Sequence, residues 1–378
     1  MRRVLVLGGG FGGIAAATAL RARLGDSDEV VLVERQPTFV MGLRKNWGLV
    51  GSSTIVAGER QLASLARRGI DVVAGTIDEI RPAAREARVA GRTISADALV
   101  VALGAERDPD RIPGFREHAI DVYDRDANAV GAAAIEAFAG GRVVVGIFGA
   151  PYPCPPAPYE LALLLTERLA ERRVPGGVFV FSPQAGSLPV LGEAGCAAFD
   201  GRLANEGISF RAKTVATAVE AGAVVAADTR IPFDMLLGVP PHRVPPVVVT
   251  AGLAEAGGWV RVDPRTLETR FPGVFAIGDV TAIPIGTNQA LPKAGVFAQA
   301  QGEVVAARVA DRLAGREPEA RFEGEGLCFL ETGRGMASAV QGRFLAEPPE
   351  VELTPATAAG FEAKRAFESD RLAAWFGY

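Results

Sequence analysis

The chain has 378 residues, 49% of them hydrophobic and 22% charged, a globular composition large enough for two or three packed domains. Forty basic against forty-four acidic residues leave a net charge of −4, which argues against the basic face that nucleic-acid binding requires. Three cysteines are too few for a disulfide-built scaffold and two histidines leave little for a metal site; only four of the forty basic residues are lysines (Lys45, Lys213, Lys293 and Lys364), so a lysine inside a motif attracts notice.

The amino terminus offers two readings. Met1-Arg2-Arg3 followed by apolar and small residues through Leu20 has the outline of an export signal. The rival is a buried strand over Val4–Leu7, the turn Gly8-Gly9-Gly10-Phe11-Gly12-Gly13, an alanine-rich helix to about Leu24, and a second strand over Val30–Val33 that ends in Glu34. A signal peptide needs neither glycines at fixed offsets nor a second strand, whereas a nucleotide-binding βαβ unit needs both. The second reading is therefore adopted. Gly8 permits the tight turn, Gly10 lets a pyrophosphate approach the backbone, and Gly13 lets helix and strand pack closely. The helix end that begins at Phe11 offers free N–H groups and positive dipole to the phosphates. Glu34, twenty-one residues beyond Gly13, is expected to accept ribose hydroxyls, and Arg35 and Ile77 are counted with the cofactor-binding positions.

Further along, Ala98–Val101 reads as a buried strand closing on the small turn Ala102-Leu103-Gly104. Val143–Ile147 is the strand of a second α/β unit. The turn after it carries Pro151, Pro153, Pro155, Pro156 and Pro158, and the next strand, Val178–Phe181, ends in Ser182-Pro183. Prolines stand where N–H donors would face a pyrophosphate, and no acid waits for a ribose, so this unit is expected to have lost its nucleotide site. Thr269-Arg270-Phe271-Pro272-Gly273 then leads into the strand that ends in Gly278-Asp279.

The segments near 100 and 279 resemble the later signatures of two-dinucleotide-domain flavoproteins, which implies FAD as the cofactor and Asp279 as the residue holding its ribityl and phosphate region. The expected fold class is α/β, with two Rossmann-like domains and a short carboxy-terminal region. Residues 1–108 and 246–315 form the FAD-binding domain, 109–245 the second domain, and 316–378 a strand and an amphipathic tail. No apolar run reaches about 18 residues, so no membrane-spanning helix is expected and the location is read as cytoplasmic or peripheral to a membrane.

Four segments resemble the sulfide:quinone oxidoreductase and flavocytochrome c sulfide dehydrogenase flavoprotein family: the loop Gly149–Glu160 with Cys154, the strand Gly326–Gly333 with Cys328, the segment Leu291–Gln299 with Lys293 and Ala294, and Pro240-Pro241-His242-Arg243. The resemblance implies a Cys154–Cys328 redox disulfide against one face of the flavin and Lys293 near the ring's pyrimidine edge. Independently, prolines restrict the backbone around Cys154, and Glu160, six residues on, is suited to accept a proton near sulfur. Cys196 reads as packing. Two departures stand out. Ile112–Phe138 lacks the third cysteine of many quinone-linked members, and no cysteine near Phe39–Gly42 is available to attach FAD covalently. The tail, with Phe361, Lys364, Arg365, Phe367, Leu372, Trp375, Phe376 and Tyr378, either packs over the flavin or enters a bilayer in part. The expected activity is FAD-dependent oxidation of sulfide or another small sulfur compound, with a quinone as acceptor. Cytochrome c as acceptor, a type II NADH dehydrogenase and a flavin-bound signalling protein are the alternatives.

Overall fold

Apolar runs without polar alternation give strands covered on both faces, as in parallel sheets wrapped by helices. In the computed structural model, which describes residues 1–227, 229–286 and 289–377, the run Arg3–Leu7 lies at the centre of such a sheet. It pairs in parallel with Glu29–Glu34 on one side and Ala98–Val101 on the other. Asp71–Ala74 and Val274–Ala276 complete the two edges, so the last strand joins from the far side of a long insertion. The helix Phe11–Arg21 packs against the long helix Gly295–Leu313. Gly302 makes the approach possible, since a Cβ there would lie 2.6 Å from the Gly12 carbonyl oxygen.

A second all-parallel sheet runs in the order Ile120–Asp121, Met235–Val239, Gly141–Ile147, Gly176–Phe181, Ser209–Arg211. The chain leaves for it and returns from it through one ribbon, in which Glu106–Arg107 pairs antiparallel with His242–Arg243. The carboxy-terminal region is an antiparallel sheet of Glu325–Gly333, Met336–Arg343 and Glu350–Leu353, followed by the helix Ala358–Phe376. That helix is capped by Thr357, whose hydroxyl accepts from the Gly360 N–H at 2.9 Å. Among the described residues no helix is long and apolar enough to cross a membrane.

Candidate functional site

The glycine turn is built by close contact. Gly8 has φ +108°, and a Cβ on it would lie 2.3 Å from the Ala102 carbonyl oxygen and 3.2 Å from Leu103. A Cβ on Gly13 would lie 1.8 Å from the Gly8 oxygen. Gly10, by contrast, has nothing within 4 Å of its Cβ position, which leaves an open cradle at the amino end of the helix. Glu34 is fixed at the end of its strand, where it accepts from Gly9 N at 2.7 Å and Gln36 N at 2.9 Å. Arg35 points elsewhere, 3.8 Å from Glu106, with its side chain 60% exposed. Ile77 opens a strand of a separate antiparallel sheet, opposite Val89. Neither of the two lines the cavity described next.

Below the turn lies a cavity of about 160 Å³, with Phe11 and Ala294 on one wall and Cys154, Glu160 and Cys328 among its lining residues. A small adjoining hollow is bounded by Gly278, Asp279, Lys293 and Ala294. Lys293 is buried; its Nζ donates to the carbonyl oxygens of Asp279 at 2.5 Å and Thr281 at 3.0 Å and stands 3.4 Å from the centre of the Trp259 ring. Burial brings this lysine down to about 8 against the pull of Asp279, whose carboxyl burial in turn pushes up.

Cys154 follows the strand Gly141–Ile147, in the proline turn that leads into the helix Ala157–Glu171. Its φ is +50°, a left-handed conformation uncommon outside glycine. Its N–H donates to the Lys293 carbonyl at 2.6 Å, and its own carbonyl accepts from Ala157 N at 2.9 Å. Cys328 sits opposite Val340 in the carboxy-terminal sheet. Both are free thiols, as is Cys196, which is buried in the helix Gly192–Asn205 outside this cavity. Burial pushes Cys154 up to about 12, the Glu160 carboxylate adds to the rise, and Lys364 opposes it. Cys328 is raised well above the ordinary thiol range, first by burial and then by Cys154.

Glu160 does not stand alone beside the sulfur. Its Oε1 accepts from Lys364 Nζ at 2.7 Å and Asn46 Nδ2 at 3.0 Å, and its Oε2 accepts from Glu331 N at 2.7 Å. Lys364, 1% exposed, also donates to Glu331 Oε2 at 2.8 Å, an oxygen that Trp47 Nε1 reaches at 2.7 Å. A second buried pair, Arg44 with Glu368, ties the same helix down. Glu160 is thus one member of an ion-paired cluster, and the tail supplies the cation. The tail's aromatic face is inside the molecule: Trp375 packs edge-on to Phe11 and Phe39, Phe376 stacks on Phe39, and Leu372 is buried. Phe361 is half-buried and Arg365 exposed; Tyr378 lies outside the described residues.

A model of the pyridine nucleotide-disulphide oxidoreductase family matches residues 2–147. The mitochondrial sulfide:quinone oxidoreductase of Mus musculus is 24% identical over 371 residues, spanning 92% of this chain and 79% of its own. The sulfide-quinone reductase of Aquifex aeolicus is 26% identical over 385 residues, spanning 92% and 84%. The X-ray structure of the sulfide:quinone oxidoreductase from Aquifex aeolicus matches with a TM-score of 0.89 at 23% identity, over 100% of this chain and 92% of that one. The chain is thus similar to sulfide:quinone oxidoreductases along nearly its whole length. That similarity supports a flavoprotein oxidoreductase with FAD as its cofactor.

The residues present fit that group. Gly10 leaves the cradle a pyrophosphate requires, Glu34 presents a fixed carboxylate at the strand end, and Asp279 with Lys293 bounds a buried hollow farther along the same side. Sequence reasoning missed Asn46, Trp47, Glu331 and the role of Lys364, as well as Lys45 and Tyr123, which line the cavity. A signal was available: in an arginine-biased chain, three of the four lysines (Lys45, Lys293 and Lys364) converge on this region.

Proposed function

We propose that this flavoprotein oxidises sulfide through Cys154 and Cys328 and passes the electrons to a quinone. The observation that carries the proposal is that two cysteines 174 residues apart line one cavity beside Glu160 and Lys364. The similarity to sulfide:quinone oxidoreductases along nearly the whole chain supports the same reading. In the oxidised form the two sulfurs are joined. Hydrosulfide attacks one of them, a new sulfur–sulfur bond forms, and the other cysteine leaves as thiolate with the electron pair of the broken bond. The incoming sulfur is oxidised to the persulfide level and the disulfide is reduced.

When bound, FAD supplies the two-electron carrier between the sulfur pair and the acceptor. Burial favours the neutral thiol at both cysteines, so a proton must leave before either sulfur can give up its electrons. Glu160, with Lys364 against it, is assigned as the acceptor of that proton. Lys293 places a buried cation beside Asp279, where it stabilises negative charge that develops in the cofactor hollow. Leu327, Phe329 and Phe367 give the cavity an apolar wall suited to a quinone ring.

The test is anaerobic stopped-flow absorbance. Sulfide should bleach the bound flavin, and a short-chain quinone should restore its colour faster than cytochrome c does. A flavin that stays oxidised in excess sulfide overturns the proposal, and reoxidation by cytochrome c alone replaces the quinone as acceptor.

A further inference from the structure

We infer that Tyr123 is a positioning residue, whose phenol, braced by Lys45 and His242, holds the Cys154 turn in its left-handed conformation and so sets the aim of the sulfur. The inference rests on the proposed function only in taking Cys154 as the reactive cysteine.

The turn is short of donors of its own. Five of the eight residues from Pro151 to Pro158 are prolines, which supply carbonyl acceptors and no N–H donors. Buried carbonyls in such a turn need donors from elsewhere in the fold. Tyr123 is one: its hydroxyl donates to the Pro153 oxygen at 2.7 Å and is shared with the Cys154 oxygen at 3.3 Å. Other ties include the Cys154 N–H to Lys293, the Ala157 N–H to Cys154 and the Tyr152 hydroxyl to the Pro155 oxygen at 3.2 Å. Together they hold a non-glycine residue at φ +50°.

Tyr123 is itself fixed. Its N–H donates to Asp121 Oδ1 at 2.9 Å, just beyond the edge strand of the second sheet. Lys45 Nζ donates to its carbonyl at 2.7 Å. The His242 ring packs edge-on at 5.6 Å between centroids, with its Nδ1 bonded to the Pro240 oxygen at 2.9 Å. Burial raises the phenol well above its ordinary range, so it stays a neutral donor. Through these contacts the His242 segment braces the residue that braces the cysteine.

The experiment compares wild type with Tyr123→Phe, both full-length and loaded with FAD. The Cys154–Cys328 disulfide is equilibrated in dithiothreitol buffers and read by thiol labelling and mass spectrometry. Loss of the phenol should make the disulfide about tenfold easier to reduce, a shift of about 30 mV for a two-electron couple. The limiting rate of sulfide-driven flavin reduction should fall about tenfold, with the half-saturating sulfide concentration unchanged. An unchanged potential in a variant that keeps its FAD overturns the inference. Should that variant fail to fold, Lys45→Met takes its place; it removes the donor to the Tyr123 carbonyl and should move the potential the same way by less, and no shift there is equally decisive against the inference. If sulfide does not bleach the wild-type flavin, the proposed activity falls, while the comparison of potentials still judges Tyr123.

Discussion

At the carboxyl edge of the first sheet the chain turns through Gly8–Gly13 into a helix, and at the corresponding edge of the second it turns through Gly149–Pro158 into another. That edge is where parallel α/β sheets bind ligands. The two turns offer opposite things. The glycine turn strips away side chains, so that the open space at Gly10 and the helix N–H groups face an incoming anion. The proline turn strips away N–H donors and fixes a single sulfur in a left-handed backbone. One position on one scaffold is thus suited to an anion in the first sheet and to a fixed sulfur in the second, according to which backbone atoms remain available.

If the two turns have separate roles, damage to the second should leave the first intact. Cys154→Ser and Cys328→Ser should each keep FAD while losing sulfide-driven flavin reduction by more than about 10³-fold. The double variant should be no worse than either single one, because neither cysteine can make a disulfide alone. Flavin spectra of the purified variants and anaerobic mixing with sulfide give both readings. A single variant within tenfold of the wild-type rate would break the comparison.

The sequence makes this contrast legible because both turns are local patterns. The strands expected at Val4–Leu7 and Val143–Ile147 run over Arg3–Leu7 and Gly141–Ile147. The helix expected to reach about Leu24 ends at Arg21, and a tightened last turn follows in which Arg23 N and Leu24 N both donate to the Leu20 carbonyl. The cluster around Glu160 has no such signature. Lys364 finds its partners 204 and 33 residues away, and Trp47 reaches Glu331 across 284. The amphipathic pattern of the tail likewise announces a face to be covered without naming what covers it, and the structure supplies Phe11 and Phe39. The left-handed Cys154 has no local marker either, because its conformation is held by Lys293 and Tyr123 from other parts of the chain.

A smaller effect should separate the charge of Glu160 from its work with protons. Its carboxylate helps to hold the Cys154 thiol up at about 12, while Lys364 pulls the other way. Glu160→Gln removes the first influence and leaves Lys364 paired with Glu331. The Cys154 value should therefore drop, and at pH 9, below that value, the thiolate fraction and the iodoacetamide labelling of Cys154 should rise in the reduced protein. Sulfide-driven flavin reduction should nonetheless slow, by roughly 10- to 100-fold, because the proposed proton acceptor is gone. Faster labelling with slower turnover is the expected pair. Labelling that stays level or slows would show that Cys154 does not feel this carboxylate.

The smallest expected effect is none, and it tests the proline turn most directly. NADH offers its pyrophosphate to the edge of the second sheet, where backbone donors would have to receive it. Five residues of the turn have no N–H, and the Cys154 N–H is already bonded to the Lys293 carbonyl. Gly176–Phe181, the next strand, ends in Ser182-Pro183 and so lacks the carboxylate that would hold a ribose. A hollow of about 340 Å³ does remain there, walled by Pro151, Tyr152, Pro155 and Trp259, with Gln184, Thr281 and Lys293 also on its lining. Anaerobic mixing with NADH or NADPH should therefore leave the flavin oxidised on the timescale over which sulfide bleaches it. Rapid, saturable bleaching at micromolar NADH would mean that the proline turn still accepts a dinucleotide, and the division of labour between the two sheet edges would have to be abandoned.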